Sequence, residues 1–365
     1  MKTKRIFSFD FIRVFAMVMI VVFHYNAYCI DRKIETGSIL FLRYANGTMG
    51  HIGVSLFFIL SGASLMYAYA EKLELKNYFK KRFLSIYPLY WIVYAAFFIH
   101  FYIINRLPMV HSKITLLLSV LGMDGYLNYL IPNYYLVGEW FVGCIIFIYL
   151  VFPLLRCLVL KRPAATALVT ALLYIPYLRF YPFRMEEQRF FLTRIPEVLF
   201  GMYFVYYIYK ADGSKKNTEG YKPLKWPLGL GALAAFLVTM FVPLSLPMPY
   251  IILWTGVSCF LFLTWFSQLI QWSWLTTLCK AMSACSFSVF LVHHILVGIF
   301  MAPYAGRTLS FQENHELFFQ YFLFISITGF IFYRLSLIAN RLITWFTYLL
   351  LERYRANQAE ASDRS

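Results

Sequence analysis

The chain has 365 residues, of which 61% are hydrophobic and 14% charged, and its formal net charge is +16. Soluble domains contain about 45–50% apolar and about 25% charged residues, so the composition excludes an ordinary soluble domain and indicates a polytopic membrane protein. The basic residues lie in loops between apolar runs, which is typical of cytoplasmic loops. We therefore expect that the protein lies in a lipid bilayer and that its positive charge does not serve to bind nucleic acid.

In chain order, the apolar runs predict ten membrane-spanning helices. They lie at roughly 11–30, 50–70, 87–104, 139–158, 164–181, 195–209, 226–245, 250–270, 283–302 and 316–336. Most are long enough for a hydrocarbon core about 30 Å thick, although the sixth is short. The first is too long for a cleavable signal peptide and has no small-residue cleavage site. An eleventh apolar run, at 112–123, is too short to span comfortably and is predicted to be a re-entrant or surface helix.

The distribution of Lys and Arg predicts that both termini are cytoplasmic. With the N-terminus inside, the cytoplasmic segments hold 22 of the 33 basic residues and the outer loops hold nine. Counting 112–123 as a span would move the basic segment 161–163 outside. We therefore predict an all-α, polytopic integral membrane protein with one transmembrane domain over 1–351 and a disordered cytoplasmic tail over 352–365.

The cysteines and the overall pattern restrict the function further. Six cysteines are scattered along the chain without a CxxC pair, so we predict neither a disulfide framework nor a metal site. The sequence shows no internal repeat, which speaks against a transporter built from inverted repeats.

Two titratable residues lie on one face of the first predicted helix. Arg13 and His24 are eleven positions apart, which at about 100° per residue returns to nearly the same face and spans about 16 Å. Asp10 lies three positions before Arg13 and can pair with it. A simple explanation is that Arg13 anchors the helix end by reaching the lipid headgroups and that His24 makes a hydrogen bond between helices. The alternative is a reaction path, in which a desolvated, neutral His24 is a general base.

The segment SFDFIRVFAMVMIVVFHYN (8–26) resembles the opening of the acyltransferase family 3 membrane enzymes, whose signature is an arginine, ten residues and then a histidine. Further similar segments follow in order to about residue 300: GVSLFFILSG (53–62), KKRFLSIYPLYW (80–91), GEWFVGCIIFIYLVFPLL (138–155), RIPEVLFGM (194–202) and SFSVFLVHHILV (286–297). The last resembles the family's serine-rich helix with its histidine at His293. The chain departs from the family pattern at Ser85, often a second arginine, and at Ile145, often a glutamate. Glu139 is a candidate substitute for that glutamate.

The resemblance implies transfer of an acyl group, usually acetyl from acetyl-coenzyme A, to a hydroxyl of a surface polysaccharide or its lipid-linked precursor. It implies a location in the bacterial cytoplasmic (inner) membrane. His24 would be the base or the acyl carrier, and Arg13, held by Asp10, would secure the donor. Arg82 would add a second guanidinium for coenzyme A phosphates, since the arginine fork suits phosphate, although ordinary positive-inside charge explains most of that cluster. The candidate hydrogen-bond donors to the thioester oxyanion, chosen by motif position, are Ser61, Tyr90 and Trp140.

On the predicted outer side, residues 123–135 gather tyrosines and asparagines that suit sugar rings and hydroxyls, Tyr134 among them. Tyrosines at a membrane interface also need no ligand. Further expected acceptor contacts are Trp140, Glu139, Arg194 and Glu197, although the last two can simply pair with each other. Some family members carry a fused hydrolase-like domain; without one, transfer is direct or passes through a separate extracytoplasmic acyl-accepting protein.

Two other functions fit the composition. A transporter or flippase for a glycan or lipid-linked sugar would spread charged residues over several helices around a midplane cavity. Here the deep charge is concentrated in the first helix, which favours the enzyme. A sensory or scaffolding membrane protein would retain its function when His24 is replaced.

Overall fold

The structure is a computed structural model that describes residues 5–209, 224–270 and 272–363. Within these residues the fold is helical apart from a short antiparallel hairpin, Arg43–Tyr44 with Gly47–Thr48. The α-helices are α1 (Phe7–Asp31), α2 (Met49–Tyr69), α3 (Leu75–Phe98), α4 (Leu116–Val120), α5 (Asp124–Leu127), α6 (Glu139–Lys161), α7 (Pro163–Arg179), α8 (Ile195–Phe204), α9 (Trp226–Phe241), α10 (Met248–Ser267), α11 (Ser273–Met301) and α12 (Phe311–Asp363).

Seven helices in the described part of the chain are long and apolar enough to cross a membrane, judged by length and composition. They are Phe7–Asp31, Met49–Tyr69, Leu75–Ile104, Glu139–Lys161, Met248–Ser267, Ser273–Tyr304 and Phe311–Leu349. The prediction of an all-α, polytopic membrane protein is thus confirmed. Each of the ten predicted segments does contain a helix, but Pro163–Arg179, Ile195–Phe204 and Trp226–Phe241 are shorter. The count of ten spans therefore stays a prediction.

Several element boundaries differ from those expected. The run 112–123 forms a 3-10 turn, Lys113–Thr115, followed by the five-residue α4, which is far too short to span. Helix α3 continues as a π-helix over Ile99–Ile104. Helix α12 does not end near residue 336 but runs to Asp363, so the described part of the predicted tail is helical. Apolar residues continue well past 336, and the helix follows them.

Close packing of α2 against α8 depends on two glycines. A Cβ atom on Gly62 would lie 2.0 Å from the carbonyl oxygen of Val198, and one on Gly201 would lie 2.0 Å from that of Ile59. Small residues let membrane helices approach until their backbones touch, which is how such helices gain packing energy without a hydrophobic driving force. This contact fixes α8 against α2, which in turn packs on α1.

Loops assigned to one side of the membrane meet at one end of the bundle. The backbone N–H of Glu35, after α1, donates to the carbonyl of Arg307, between α11 and α12 (2.9 Å). At the other end, the Arg156 guanidinium on α6 donates to the carbonyl of Tyr69 at the end of α2 (2.6 Å). The predicted sidedness of these segments is therefore self-consistent. Which end is cytoplasmic stays a prediction.

Candidate active site

His24 lies within a cluster of polar side chains contributed by three helices. Its Nε2 is 3.0 Å from Oε1 of Glu139, the first residue of α6. Its Nδ1 is 3.0 Å from Nε2 of His293 on α11. His293 is fully buried, whereas the side chains of His24 and Glu139 keep 16% and 18% of their surface exposed. The pair is thus open to a reactant on one side and held by His293 on the other.

Backbone carbonyls determine which ring nitrogens in this cluster carry hydrogen, because a carbonyl oxygen only accepts. His293 Nδ1 lies 2.6 Å from the carbonyl of Phe290, so this nitrogen is the donor and Nε2 is left as an acceptor. His24 Nδ1 faces that acceptor and also the carbonyl of Ile20 at 3.0 Å, so it carries a hydrogen as well. His24 Nε2 faces the carboxylate of Glu139, so by the same reasoning a hydrogen lies between them, and this imidazole–carboxylate pair is the one through which a proton can move.

The backbone around Glu139 is strained. Gly138 has φ 83° and Glu139 has φ 46°, both in the left-handed region. A side chain in that region is uncommon and costs about 1–3 kcal/mol, and such strain clusters at functional sites. The start of α6 also places the carboxylate at the positive end of a helix dipole. The turn directs Glu139 towards His24 at an energetic cost that ordinary packing does not require.

A third histidine completes the polar cluster. His294 Nε2 is 3.8 Å from Glu139 Oε1, and the ligand atoms of His24, Glu139 and His294 all lie within 4.8 Å of one another. Two imidazoles and one carboxylate are a set that zinc binds in enzymes. These residues are the group in the described chain that can hold a metal, and the prediction of no metal stays a prediction.

The exposed side of the cluster opens into a cavity of about 490 Å³, which we name the histidine cavity. Aromatic faces, amides, cations and carboxylates all line it. Its residues are His24, Gly125, Tyr126, Asn128, Tyr129, Tyr135, Glu139, Trp140, Arg184, Met185, Glu186, Arg189 and His294. This mixture suits a ligand with many hydroxyls, since rings stack on aromatic faces and hydroxyls hydrogen-bond to the polar groups.

A second cavity, of about 220 Å³, lies further towards the start of α1, and we name it the arginine cavity. Two guanidinium groups, several hydroxyls and a group of phenylalanines line it. Its residues are Arg13, Phe57, Ser61, Ser64, Leu65, Arg82, Ser85, Ile86, Phe141, Ile145, Tyr149, Ser286, Phe287 and Phe290. Ser85 and Ile145, the two positions that depart from the resembled pattern, both lie on this wall.

Serines hold Arg13 more closely than Asp10 does. Its guanidinium donates to the hydroxyls of Ser283 (3.1 Å) and Ser64 (3.4 Å), and the carboxylate of Asp10 is 3.7 Å away. Asp10 pairs more closely with Arg5 (2.9 Å) and accepts from Ser283 (2.7 Å). Asp10 and Arg13 therefore form the expected ion pair, and Ser283 bridges the two side chains, while Arg5 is the nearer cationic partner of Asp10.

Arg82 lies over a cage of tyrosines beside the arginine cavity. Its guanidinium carbon is 5.3 Å from the ring centroid of Tyr149, 5.9 Å from that of Tyr69 and 6.0 Å from that of Tyr78. Its buried Nε has no hydrogen-bond partner. The rings stabilise the cation, and the Arg82 side chain lines the arginine cavity.

Three predicted contact residues have other partners. The Ser61 hydroxyl lines the arginine cavity but donates to the carbonyl of Phe57 (2.8 Å). The Tyr90 hydroxyl is buried and donates to Asp124 Oδ1 (2.7 Å). The buried Tyr134 hydroxyl donates to the carbonyl of His111. Neither tyrosine lines either cavity. The structure therefore does not place Tyr90 where it would contact coenzyme A, or Tyr134 where it would contact a glycan. Each hydroxyl instead makes a hydrogen bond that holds the 105–138 segment in place.

Arg194 and Glu197 form a buried ion pair behind the histidine cavity. The guanidinium Nη1 lies 3.1 Å from Glu197 Oε2, and both side chains are almost fully buried. The guanidinium also lies 5.6 Å from the Trp140 ring centroid. The pair therefore supports Trp140, which does line the cavity, and does not reach it directly. This is the structural pairing left open from the sequence.

The sequence missed several residues of both cavities. His294 carries no spacing signal, and Arg184, Glu186 and Arg189 lie in a loop without a motif. The only available signal was the adjacent His293–His294 pair inside an apolar helix, where polar residues are expensive and need a partner.

Comparison with known proteins identifies the family. The family model of acyltransferase family 3, described as an acyltransferase domain, matches residues 6–339. The searches of curated proteins and of solved structures found no match. The matched region covers nearly the whole chain, including all residues of the histidine cluster and both arginines of the smaller cavity. The chain therefore belongs to acyltransferase family 3 and is a multi-pass membrane acyltransferase.

Proposed function

We propose that the protein is an O-acyltransferase of the bacterial inner membrane that moves an acyl group, acetyl in the first instance, from cytoplasmic acyl-coenzyme A to a hydroxyl of a cell-surface polysaccharide or its lipid-linked precursor. The observation that carries this proposal is the 3.0 Å contact between His24 Nε2 and Glu139 Oε1, which lies at the edge of the histidine cavity. A base next to a carboxylate, open to a cavity that suits sugars, is what acyl transfer to a hydroxyl requires.

The arginine cavity is the proposed donor site. Arg13 and Arg82 place two cations on its wall. Coenzyme A is anionic, and arginine binds phosphate oxygens through charge-assisted hydrogen bonds. The cavity lies at the end of the bundle that carries the cytoplasmic segments in the predicted topology. The pantetheine arm would enter from that end with the thioester directed along α1 towards His24.

The histidine cavity is the proposed acceptor site. Tyr129, Tyr135 and Trp140 offer ring faces, while Asn128 and Arg189 offer hydrogen-bond donors. A glycan presents apolar ring faces and many hydroxyls, so stacking and hydrogen bonding together would orient one hydroxyl at His24.

The proposed reaction runs at the boundary between the two cavities. His24 Nε2 accepts the proton of the acceptor hydroxyl as its oxygen attacks the thioester carbonyl carbon. The new C–O bond forms, the C–S bond breaks, and the proton passes from the imidazolium to the departing thiolate sulfur. Glu139 stabilises the imidazolium, since its contact with Nε2 becomes a charge-assisted hydrogen bond when that nitrogen is protonated. His293 keeps the ring in the required tautomer.

The test is transfer itself. The full chain in lipid nanodiscs would be supplied with acetyl-coenzyme A and a lipid-linked glycan, and in parallel the surface glycan of cells with and without the gene would be weighed by mass spectrometry. We expect an acetyl mass increment that depends on the gene and free coenzyme A in equal amount. An unmodified glycan in both assays, with altered movement of the lipid-linked sugar across the bilayer, would contradict the enzyme and favour a flippase.

A further inference from the structure

A layer of two phenylalanines separates the two cavities. Phe141 and Phe290 both line the arginine cavity, and their ring centroids are 5.0 Å apart. On the far side of this layer lie the residues of the histidine cluster. Phe290 is 5.5 Å from the ring of His293, and the neighbour of Phe141 in the chain, Trp140, lines the histidine cavity. The rings thus stand where a thioester in one cavity would have to pass to reach a hydroxyl in the other.

We infer that Phe141 and Phe290 are specificity-determining residues that limit the size of the acyl group able to reach His24. The inference rests on the proposed donor and acceptor sites. We name the two rings the phenylalanine barrier. It admits an acetyl group and excludes longer, straight acyl chains.

Packing around the barrier explains why it discriminates. Phe141 and Phe290 keep only 7% and 6% of their surface exposed, so each ring is closely packed except where it faces the arginine cavity. Phe141 also packs on Phe58, at 5.1 Å between centroids, and on Phe57, at 6.0 Å. A small group needs only a modest displacement of the rings, whereas a long chain has to hold them apart along its length. Cores resist such overpacking because their rotamers are already set.

The barrier has a second consequence, which concerns water. The histidine cavity is large and lined by polar groups, so water fills it when no acceptor is bound. A thioester exposed to that water would hydrolyse: water attacks the carbonyl carbon, the C–S bond breaks, and acetate and coenzyme A thiol are released. Closed rings keep the thioester dry until an acceptor is in place. Barrier variants should therefore leak acetyl-coenzyme A without an acceptor.

The experiment measures kcat/KM for acetyl-, butyryl- and octanoyl-coenzyme A with the full chain in nanodiscs. For the native protein we expect acetyl to be preferred, because a methylene that a pocket cannot accommodate changes kcat/KM by about 10- to 200-fold. In Phe290→Ala and Phe141→Ala we expect the butyryl-to-acetyl ratio to rise by about tenfold or more, with faster hydrolysis in the absence of acceptor. Phe290→Leu and Phe141→Leu provide milder forms that keep most of the packing.

The matched control is Phe260→Ala, a fully buried phenylalanine on α10 that lines neither cavity. It should lower stability without changing the ratio. Equal transfer of octanoyl and acetyl by the native protein would overturn the barrier without any variant. An unchanged ratio in active barrier variants, or the same change in Phe260→Ala, would overturn it as well. If the native protein transfers no acyl group at all, the proposed function itself fails, which is a different result.

Discussion

The histidine cavity and the arginine cavity differ in how they are built. The first takes most of its wall from the connecting segments at 125–135, which include part of the short α5, and at 184–189, together with residues of α1, α6 and α11. The second is formed almost entirely by side chains from the interior of α1, α2, α3, α6 and α11. Loops tolerate change and carry recognition, whereas packed helices hold a fixed geometry. The difference teaches that the wall of the histidine cavity, the proposed acceptor site, can vary in this architecture while the arginine cavity, the proposed donor site, keeps its geometry.

The largest expected effect tests whether the two cavities share one chemical centre. His24→Ala should lower kcat by at least the 10²- to 10⁴-fold that a positioned general base contributes, with the protein still folded and inserted. The measurement is acetyl transfer in nanodiscs, with folding checked by gel filtration. His100→Ala, which changes a histidine in the π-helix after α3 that lines neither cavity, is the control and should behave as the native protein. Substantial transfer by His24→Ala would show that His24 is not the catalytic base.

The next effect asks whether Glu139 supports His24 or merely lines the acceptor site. Glu139→Gln keeps the size but removes the charge that stabilises the imidazolium, and hydrogen bonds to charged groups contribute about 1.5–3 kcal/mol. We expect kcat to fall by about 10- to 100-fold, with little change in the KM of the acceptor. Glu71→Gln, at an exposed position after α2, is the charge-matched control. A change in the acceptor KM alone would show that Glu139 contributes to acceptor binding and not to the chemistry at His24.

The third effect separates the donor end from the acceptor end. Arg82→Lys keeps a positive charge but loses the planar fork and its stacking on Tyr149. We expect the KM for acetyl-coenzyme A to rise by about tenfold while the acceptor KM is unchanged. Arg189→Ala, in the histidine cavity, should show the reverse pattern. Lys76→Ala, at an exposed position on the same helix as Arg82, should change neither constant. Matching shifts in both constants for Arg82 and Arg189 would mean that the two cavities are one site.

The smallest effect concerns the loop wall of the histidine cavity. Burial raises the pKa of Asp124 from 3.8 to about 6, against the lowering effect of its hydrogen bond from Tyr90. The native state therefore binds this proton more tightly than the unfolded state, so the stability that it contributes is present below about pH 4 and lost as the pH rises through 6. Asp124→Asn should flatten the fall of the unfolding temperature between pH 4 and 6.

Thermal unfolding of the purified protein at a series of pH values measures this effect. Tyr90→Phe removes the hydrogen bond that lowers the pKa of Asp124. The fall of the unfolding temperature of this variant should therefore extend to higher pH. Parallel curves for the native protein and Asp124→Asn would show that this carboxyl does not govern the loop. Because the arginine cavity has no such loop wall, the test bears on one side of the comparison alone.

The arginine cavity, the proposed donor site, was the more predictable of the two cavities. Arg13 was named from its place inside an apolar helix, where charged residues stand out, whereas Arg82 and Ser61, which line the same wall, were named from the resemblance to the family. Glu139 was named as an acceptor contact and as a candidate substitute for the family's glutamate, and its approach to His24 depends on the left-handed turn at 138–139. Tyr134 was chosen among several loop tyrosines and lies outside the cavity, because side-chain direction in a loop follows no period.

By itself, the sequence determined the all-α membrane class, the stripe of Asp10, Arg13 and His24 on one helix, and the family. The class and the stripe follow from composition and from a period of 3.6 residues, and the family follows from the resemblance of its motif segments, all of which can be seen in the chain itself. Only the tertiary structure decided that Glu139 and His293 meet His24, that Ser283 stands between Asp10 and Arg13, and that two phenylalanines divide the cavities. Such contacts join residues more than a hundred positions apart, and their geometry is set by how helices pack, which no local pattern encodes.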